Sequence, residues 1–124
     1  MNKVEPAFLR DMEPGVKLWL SLSGEGVFGH GKWQLLDAIN RKGSLQAAAD
    51  SLGISYRKAG GDLRKAERAL GIPFLERHRG GSDGGESRLT EDGRKWLREY
   101  ARFHEEVEEG VKRAYARWAR RMGK

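Results

Sequence analysis

The 124-residue sequence predicts a mainly α-helical protein with a small amount of β structure. Two observations lead to this fold class: apolar residues recur every three or four positions over several segments, and serines and glycines stand where those segments would begin and end as helices. The β structure is predicted by a third observation, a short stretch in which apolar and polar residues alternate. We expect a loosely held arm at residues 1–14, a compact domain at residues 15–90 and a long helix at residues 91–124.

The domain is expected to begin with a strand and a helix. The strand is indicated by alternating apolar residues, namely Val16, Leu18, Leu20 and Leu22. Trp19 stands on the opposite face of that strand, which predicts that this face is also partly covered. The glycine-rich residues 23–31 are expected to form a connection. A helix from about residue 32 to residue 41 is predicted by the spacing of Phe28, Trp33, Leu36 and Ile39.

Residues 43–70 predict two helices joined by a tight turn. Ser44 is the expected N-cap of the first helix, and Gly53 stands where its end favours a left-handed residue. Ser55 is the expected N-cap of the second helix. The residues of the first helix that are expected to face inward are Leu45, Ala48, Ala49 and Leu52. Those of the second helix are Ala59, Leu63, Ala66 and Leu70.

The outward face of the second helix is strongly basic. A short helix of small residues, a glycine turn and a basic second helix are the arrangement that places one helix in the major groove of DNA. The residues expected to bind DNA here are Ser44, Ser55, Tyr56, Arg57, Lys58, Gly60, Gly61, Arg64 and Lys65, and Arg68 also points outward. The alternative is an ordinary helical hairpin whose basic face is only solvated.

The segment after this basic helix predicts the wing of a winged helix–turn–helix domain. Phe74 and Leu75 on one side, and Arg88 and Leu89 on the other, predict two short strands that flank a glycine-rich tip at residues 80–85. The cations on or beside the tip are Arg77, His78, Arg79 and Arg88. They are expected to contact phosphates or the minor groove, and the alternative is a loop whose cations make no specific contact.

Thr90 is the expected cap of a final helix of about 45 Å, since each residue adds about 1.5 Å. One apolar stripe runs along it: Trp96, Tyr100, Phe103, Val107, Val111, Ala114, Trp118 and Met122. A small domain can bury the first turns of this stripe but not its distal half. We therefore expect the helix to pair with that of a second copy in a homodimer. The alternatives are folding back on the N-terminal strand and docking on a different protein.

Composition narrows the class of function. The formal net charge of +6 and the isoelectric point of about 9.8 suit a partner that is a polyanion such as double-stranded DNA. The chain has no cysteine, and its three histidines are far apart in sequence, so neither a metal nor another cofactor is expected. No phosphate-binding loop or catalytic constellation is visible, and we expect no enzyme. The absence of a signal peptide and of a long apolar run predicts a soluble cytoplasmic protein without a membrane partner.

Residues 33–93 resemble the DNA-binding half of ModE-type molybdate-responsive regulators, which are related to the LysR-type winged helices. The likeness lies in LLDAINRKGSLQAAADSLGISYRKA, DLRKAERALGIPFLERHRGG and SRLTEDGRKWL. It implies a homodimer whose long helices pair. It also implies that Tyr56, Arg57 and Lys58 form the DNA-facing start of the recognition helix.

Two features depart from the family pattern. Gly60 stands where the family commonly has Trp, so that either base readout differs or the recognition helix binds weakly. The chain ends at Lys124, where full-length members continue into domains that bind the oxyanion. We therefore expect either a stand-alone DNA-binding member or one that takes its signal from a separate effector-sensing protein.

The expected function is that of a sequence-specific transcriptional regulator that binds a palindromic operator as a homodimer. Two alternatives stay open at this point. One is a winged-helix module for protein–protein interaction, which would not need its cations on one face. The other is an architectural DNA-binding protein without sequence preference.

Overall fold

The structure, a computed structural model, describes residues 7–76 and 86–123. Its elements in chain order are α1 (Phe8–Asp11), β1 (Trp19–Leu22), β2 (Glu25–Gly29), α2 (His30–Lys42), α3 (Leu45–Leu52), α4 (Tyr56–Leu70) and α5 (Glu91–Met122). The predicted class, mainly α with a small sheet and a long last helix, is confirmed. The chain divides into two compact units, one spanning Leu18–Ala101 and the other combining the chain up to Lys17 with the chain from Arg102 onward.

Strands β1 and β2 form an antiparallel hairpin in which Leu22 pairs with Glu25. The two turn residues, Ser23 (φ 52°) and Gly24 (φ 80°), are both left-handed, as a two-residue hairpin turn of type I′ requires. The prediction that residues 23–31 form only a connection is therefore wrong, because Glu25–Gly29 is a strand. The strand was not recognised because its glycines interrupt the alternation of apolar and polar residues.

The predicted covering of Trp19 is also wrong, since its side chain is 62% exposed. Trp19 pairs with Gly29 across the hairpin. Its ring also lies beside Gly26, where an added Cβ would be 3.9 Å from the ring. Because both neighbours lack side chains, the indole has little to pack against and stays in solvent.

The helix pair forms as predicted, except that Leu52, which was expected to face inward, is 37% exposed at the end of α3. Ser44 Oγ accepts a hydrogen bond from Ala47 N at 2.9 Å at the start of α3. Gly53 ends α3 in the left-handed conformation, with φ 70°. This conformation strains any residue with a Cβ, and it turns the chain sharply toward α4. Ser55 Oγ then accepts a hydrogen bond from Lys58 N at 3.0 Å and caps α4.

The core of the Leu18–Ala101 unit lies where α2, α3 and α4 meet the hairpin and the first turns of α5. Phe28 of β2 is at its aromatic centre, with ring centroids 5.0 Å from Tyr100, 5.4 Å from Trp96 and 5.9 Å from Phe74. These edge-on contacts are the favourable arrangement of aromatic rings. The aliphatic part of the core contains Leu35, Leu36, Ile39, Leu45, Leu63, Leu75, Leu89 and Leu97.

The two flanks of the expected wing pair through a single antiparallel bridge, between Leu75 and Leu89. Two short strands were predicted, so the described part of the wing has less regular β structure than expected. Glu76 N donates to Arg88 O at 2.8 Å beside this bridge. The predicted glycine-rich tip at residues 80–85 lies outside the described residues.

Helix α5 begins at the predicted cap. Thr90 Oγ1 accepts a hydrogen bond from Gly93 N at 2.9 Å and donates to Pro73 O at 2.5 Å. In the first turns, Trp33 Nε1 donates to Leu97 O at 3.0 Å, and the Tyr100 hydroxyl donates to Leu18 O at 2.8 Å. Burial raises the pKa of the Tyr100 hydroxyl, because the charged phenolate is less well solvated there.

The second unit contains α1 and the distal part of α5. The segment expected to be a loosely held arm includes α1, in which Leu9 is buried with 5% exposure. The Tyr115 hydroxyl lies 3.2 Å from Met12 O and 3.5 Å from Leu9 O. Within residues 7–76 and 86–123, no helix is long and apolar enough to cross a membrane.

Candidate DNA-binding surface

Helix α4 has one buried side and one strongly basic side. Ala59, Leu63 and Ala66 are fully buried against the core. On a helix of 3.6 residues per turn, the positions opposite this buried row are Arg57, Gly61, Arg64, Lys65 and Arg68. All five are exposed in the structure. The expected division of α4 into inward and outward residues is therefore confirmed, except that Gly60 and Leu70 are both half-buried.

The cations of α4 differ in how they are paired. Lys58 Nζ lies 3.1 Å from Asp62 Oδ2 within the same helix, and Lys65 Nζ lies 3.6 Å from Glu25 Oε1 on β2. Both are exposed pairs of the kind that contributes at most about 1 kcal/mol, so both lysines are easily released. Within the described residues, no carboxylate pairs with Arg57, Arg64 or Arg68. This face therefore offers three guanidinium groups to an external acceptor.

Gly60 and Gly61 leave two consecutive positions of α4 without a side chain. A Cβ at Gly61 would meet no atom of the described residues within 4 Å, and a Cβ at Gly60 would make an ordinary contact of 3.7 Å with Leu45 Cδ2. Neither glycine is thus required by packing inside the protein. Together they cost the helix about 2 kcal/mol relative to two alanines.

The two serines expected at the DNA surface have structural partners. Ser44 and Ser55 both use their side-chain oxygens to cap α3 and α4. Tyr56, the first residue of α4, is 42% exposed. Contact of any of these residues with DNA stays a prediction.

Of the expected wing cations, Arg88 is described. It is exposed, and its guanidinium Nη2 lies 3.8 Å from Glu86 Oε2 in a solvent-accessible pair. Arg77, His78 and Arg79 lie outside the described residues. The return flank that carries Arg88 is fixed to the helix pair, because Ser87 N donates to Gly43 O at 2.9 Å and Ser87 Oγ accepts from Leu45 N at 3.2 Å.

Glu67 is a positioning residue that sequence reasoning missed. Its Oε2 atom accepts hydrogen bonds from Phe74 N at 2.6 Å and from Leu75 N at 3.2 Å. The side chain therefore joins the last turn of α4 to the outgoing flank of the wing. Nothing in the local pattern indicated this role, because a glutamate among cations on a helix normally forms solvated ion pairs.

The residues expected at a dimer interface fall into two groups. Tyr100 is 5% exposed in the protein's own core, and Trp96 packs there against Phe28 and Phe74. These two residues are therefore not part of the expected dimer interface, because the first turns of α5 pack against the core of the same chain. The remaining positions are exposed or half-buried: Phe103, Val107, Val111, Ala114 and Trp118. Their role in dimerisation stays a prediction.

Comparison with known proteins agrees with this geometry. Residues 31–94 match the bacterial regulatory helix-turn-helix proteins of the lysR family. The chain is 34% identical over 76 residues to the molybdenum-pterin-binding protein MopA of Rhodobacter capsulatus, and 38% identical over 66 residues to MopB of the same organism. These matches cover 61% and 53% of this chain but only 29% and 24% of the relatives, so the chain spans less than a third of their length.

Solved structures show the same fold. A CbnR_DBD–DNA complex matches with a TM-score of 0.55 and 27% identity, covering 69% of this chain and 93% of that one. A complex of BenM_DBD with benA site 1 DNA matches with a TM-score of 0.53 and 24% identity, covering 68% of this chain and 89% of that one. The chain therefore belongs to the bacterial regulatory helix-turn-helix proteins of the lysR family, with a winged helix–turn–helix domain of the ModE and LysR type.

Proposed function

We propose that this protein is a transcriptional regulator that binds double-stranded DNA sequence-specifically, as a homodimer on a palindromic operator. In the proposal, α4 enters the major groove with Arg57 and Arg64 at base edges or phosphates. Tyr56 and Lys58 position the start of the helix, and Arg88 contacts the backbone beside the wing.

The observation that supports this proposal most directly is the exposed arginine face of α4. Arg57, Arg64 and Arg68 are exposed opposite a fully buried row, and no carboxylate of the described residues neutralises them. Guanidinium groups bind guanine edges and phosphates through two parallel hydrogen bonds. An operator is the ligand that such a face fits best.

The proposal is tested by selecting bound fragments from genomic DNA with the intact chain. We expect an inverted repeat whose half-sites are about one helical turn apart, roughly 34 Å, because two symmetry-related helices would enter successive major grooves. Given the resemblance to molybdate-responsive regulators, we expect these sites near oxyanion-transport genes. Fragments without a common sequence would favour the architectural alternative.

Replacement of Arg57 tests the role of the recognition face. If Arg57 contacts a guanine, Arg57→Ala should weaken binding to the selected operator by about 1–3 kcal/mol, with a much smaller effect on random DNA. Fluorescence anisotropy with labelled duplexes measures both affinities. Arg98→Ala is the matched control, since it removes the same charge from an exposed position on α5.

Equal losses on operator and random DNA would show that Arg57 does not contribute to specificity. Binding to either DNA should also weaken steeply as salt rises, because phosphate contacts release counterions. Affinity that is independent of salt would contradict DNA binding and favour the interaction-module alternative.

A further inference from the structure

We propose that Gly61 is a specificity-determining position, at which the backbone of α4 lies against a thymine methyl group on the floor of the major groove. This inference rests on the proposed function. It concerns the base pair that would face the middle of α4. This base pair would lie between the bases contacted by the cations on either side of Gly61.

The position of Gly61 on α4 is the first observation. The buried row of Ala59, Leu63 and Ala66 faces the core, and Gly61 lies opposite it, at the centre of the exposed face. Arg57 lies one turn before it and Lys65 one turn after it, each about 6 Å along the helix axis. The part of α4 that would enter a groove first is therefore bare backbone between cations.

The second observation is that the fold itself does not require glycine there. In the part of the chain that the structure describes, no atom lies within 4 Å of a Cβ placed at Gly61. Glycine is also unfavourable in a helix interior, because it loses more conformational freedom than alanine when the helix forms. A residue that lowers stability without serving the packing is typical of a functional constraint. The space above Gly61 is therefore open to a partner that comes close to the helix.

The chemistry of the bare surface indicates which partner this is. In the middle of a helix the backbone N–H groups are already hydrogen-bonded, so Gly61 presents mainly its Cα hydrogens. The apolar group on the major-groove floor is the C5-methyl group of thymine. The flanking cations, Arg57 and Lys65, by contrast, favour guanine. The operator half-site should therefore contain an A·T or T·A pair between guanines.

The test begins with selection of binding sequences from random double-stranded DNA by the wild-type chain and by Gly61→Ala. We expect Gly61→Ala to raise the melting temperature and yet bind the wild-type operator at least tenfold more weakly. Gly31→Ala is the matched control, since its Cβ would also meet no atom within 4 Å and it lies in α2. That variant should bind as the wild type does.

The thymine is tested separately by replacing each operator thymine in turn with deoxyuridine, which removes only the methyl group. We expect a loss of about fivefold at one central position for the wild type and no such loss for Gly61→Ala. Undiminished affinity of Gly61→Ala, or no sensitivity to uracil at any position, would overturn the inference while leaving operator binding intact. Failure of the wild type to enrich any sequence would overturn the proposed function as well.

Discussion

Gly93 lies where the start of α5 touches the backbone of another segment. A Cβ at this position would overlap the carbonyl oxygen of Phe74 and lie 3.1 Å from its carbonyl carbon. The same carbonyl accepts a hydrogen bond from Thr90 N at 2.9 Å. Because the obstacle is backbone rather than a flexible side chain, neither partner can move without disturbing the cap of α5.

Gly93→Ala should therefore destabilise the protein, although alanine is the better helix former. Relief of the overlap must shift α5 or the segment at Phe74, and overpacking of this kind typically costs about 1–3 kcal/mol. Urea unfolding followed by circular dichroism measures the loss. Gly110→Ala in the same helix is the control, since its Cβ would meet nothing within 4 Å; equal stability of the two variants would contradict the packing argument.

The wing is attached to the helix pair at both of its flanks. Glu67 holds the outgoing flank through two backbone N–H groups, and Ser87 holds the return flank at Gly43 and Leu45. These bonds give the base of the wing a fixed position relative to α4. A change at Glu67 should therefore alter DNA binding without touching the basic face.

Glu67→Ala should lower the free energy of unfolding by about 1–3 kcal/mol, because two backbone donors lose a charged acceptor. It should also weaken operator binding. The affinity for DNA should then depend less on salt, because the wing would contribute less to phosphate binding. Glu67→Gln keeps a side-chain oxygen at the same place and should recover part of both losses. Unfolding curves and affinities at several salt concentrations separate the two effects. Wild-type salt dependence in a folded Glu67→Ala protein would contradict the positioning role.

The distal stripe of α5 is the proposed contact between two copies of the protein. Phe103 is 41% exposed and Met122 is 49% exposed, while Val107, Val111 and Trp118 are half-buried. The apolar surface that these side chains leave accessible to solvent favours association. The pairing partner in the proposal is the same helix of a second copy.

Phe103→Glu should shift the protein from dimer to monomer, since it puts a charge into an apolar contact that a two-fold axis would present twice. Sedimentation velocity over a range of concentrations measures the change. Ala116→Glu is the control, because its position is on the opposite side of α5 and is exposed. A monomeric wild-type protein, or a dimer that withstands Phe103→Glu, would contradict pairing through this stripe.

The helix pair could be predicted from sequence because its signals are local. Ser44, Gly53 and Ser55 act on residues within one turn, and the buried row of α4 repeats at helical spacing. Strand β2 was missed because glycines mask its alternation. Tyr100 was assigned to an interface because a stripe on a helix does not show which of its turns the protein covers itself.

The candidate site could be predicted only in part for the same reason. The basic face of α4 follows from periodicity, whereas the pair of Lys65 with Glu25 joins elements 40 positions apart. The link from Glu67 to Phe74 depends on where the chain turns after α4. Such contacts are set by tertiary packing, which no local pattern encodes.

The double attachment of the wing has a consequence for how this family can diversify. Because both flanks are fixed to the helix pair by their own hydrogen bonds, residues 77–85 are inserted between two anchored ends. A segment that joins two fixed ends can change in length and sequence with less effect on stability than a helix or strand of the core. Replacement of this segment by one of different length could change the affinity for the flanks of a binding sequence. The bases recognised by α4 would stay the same.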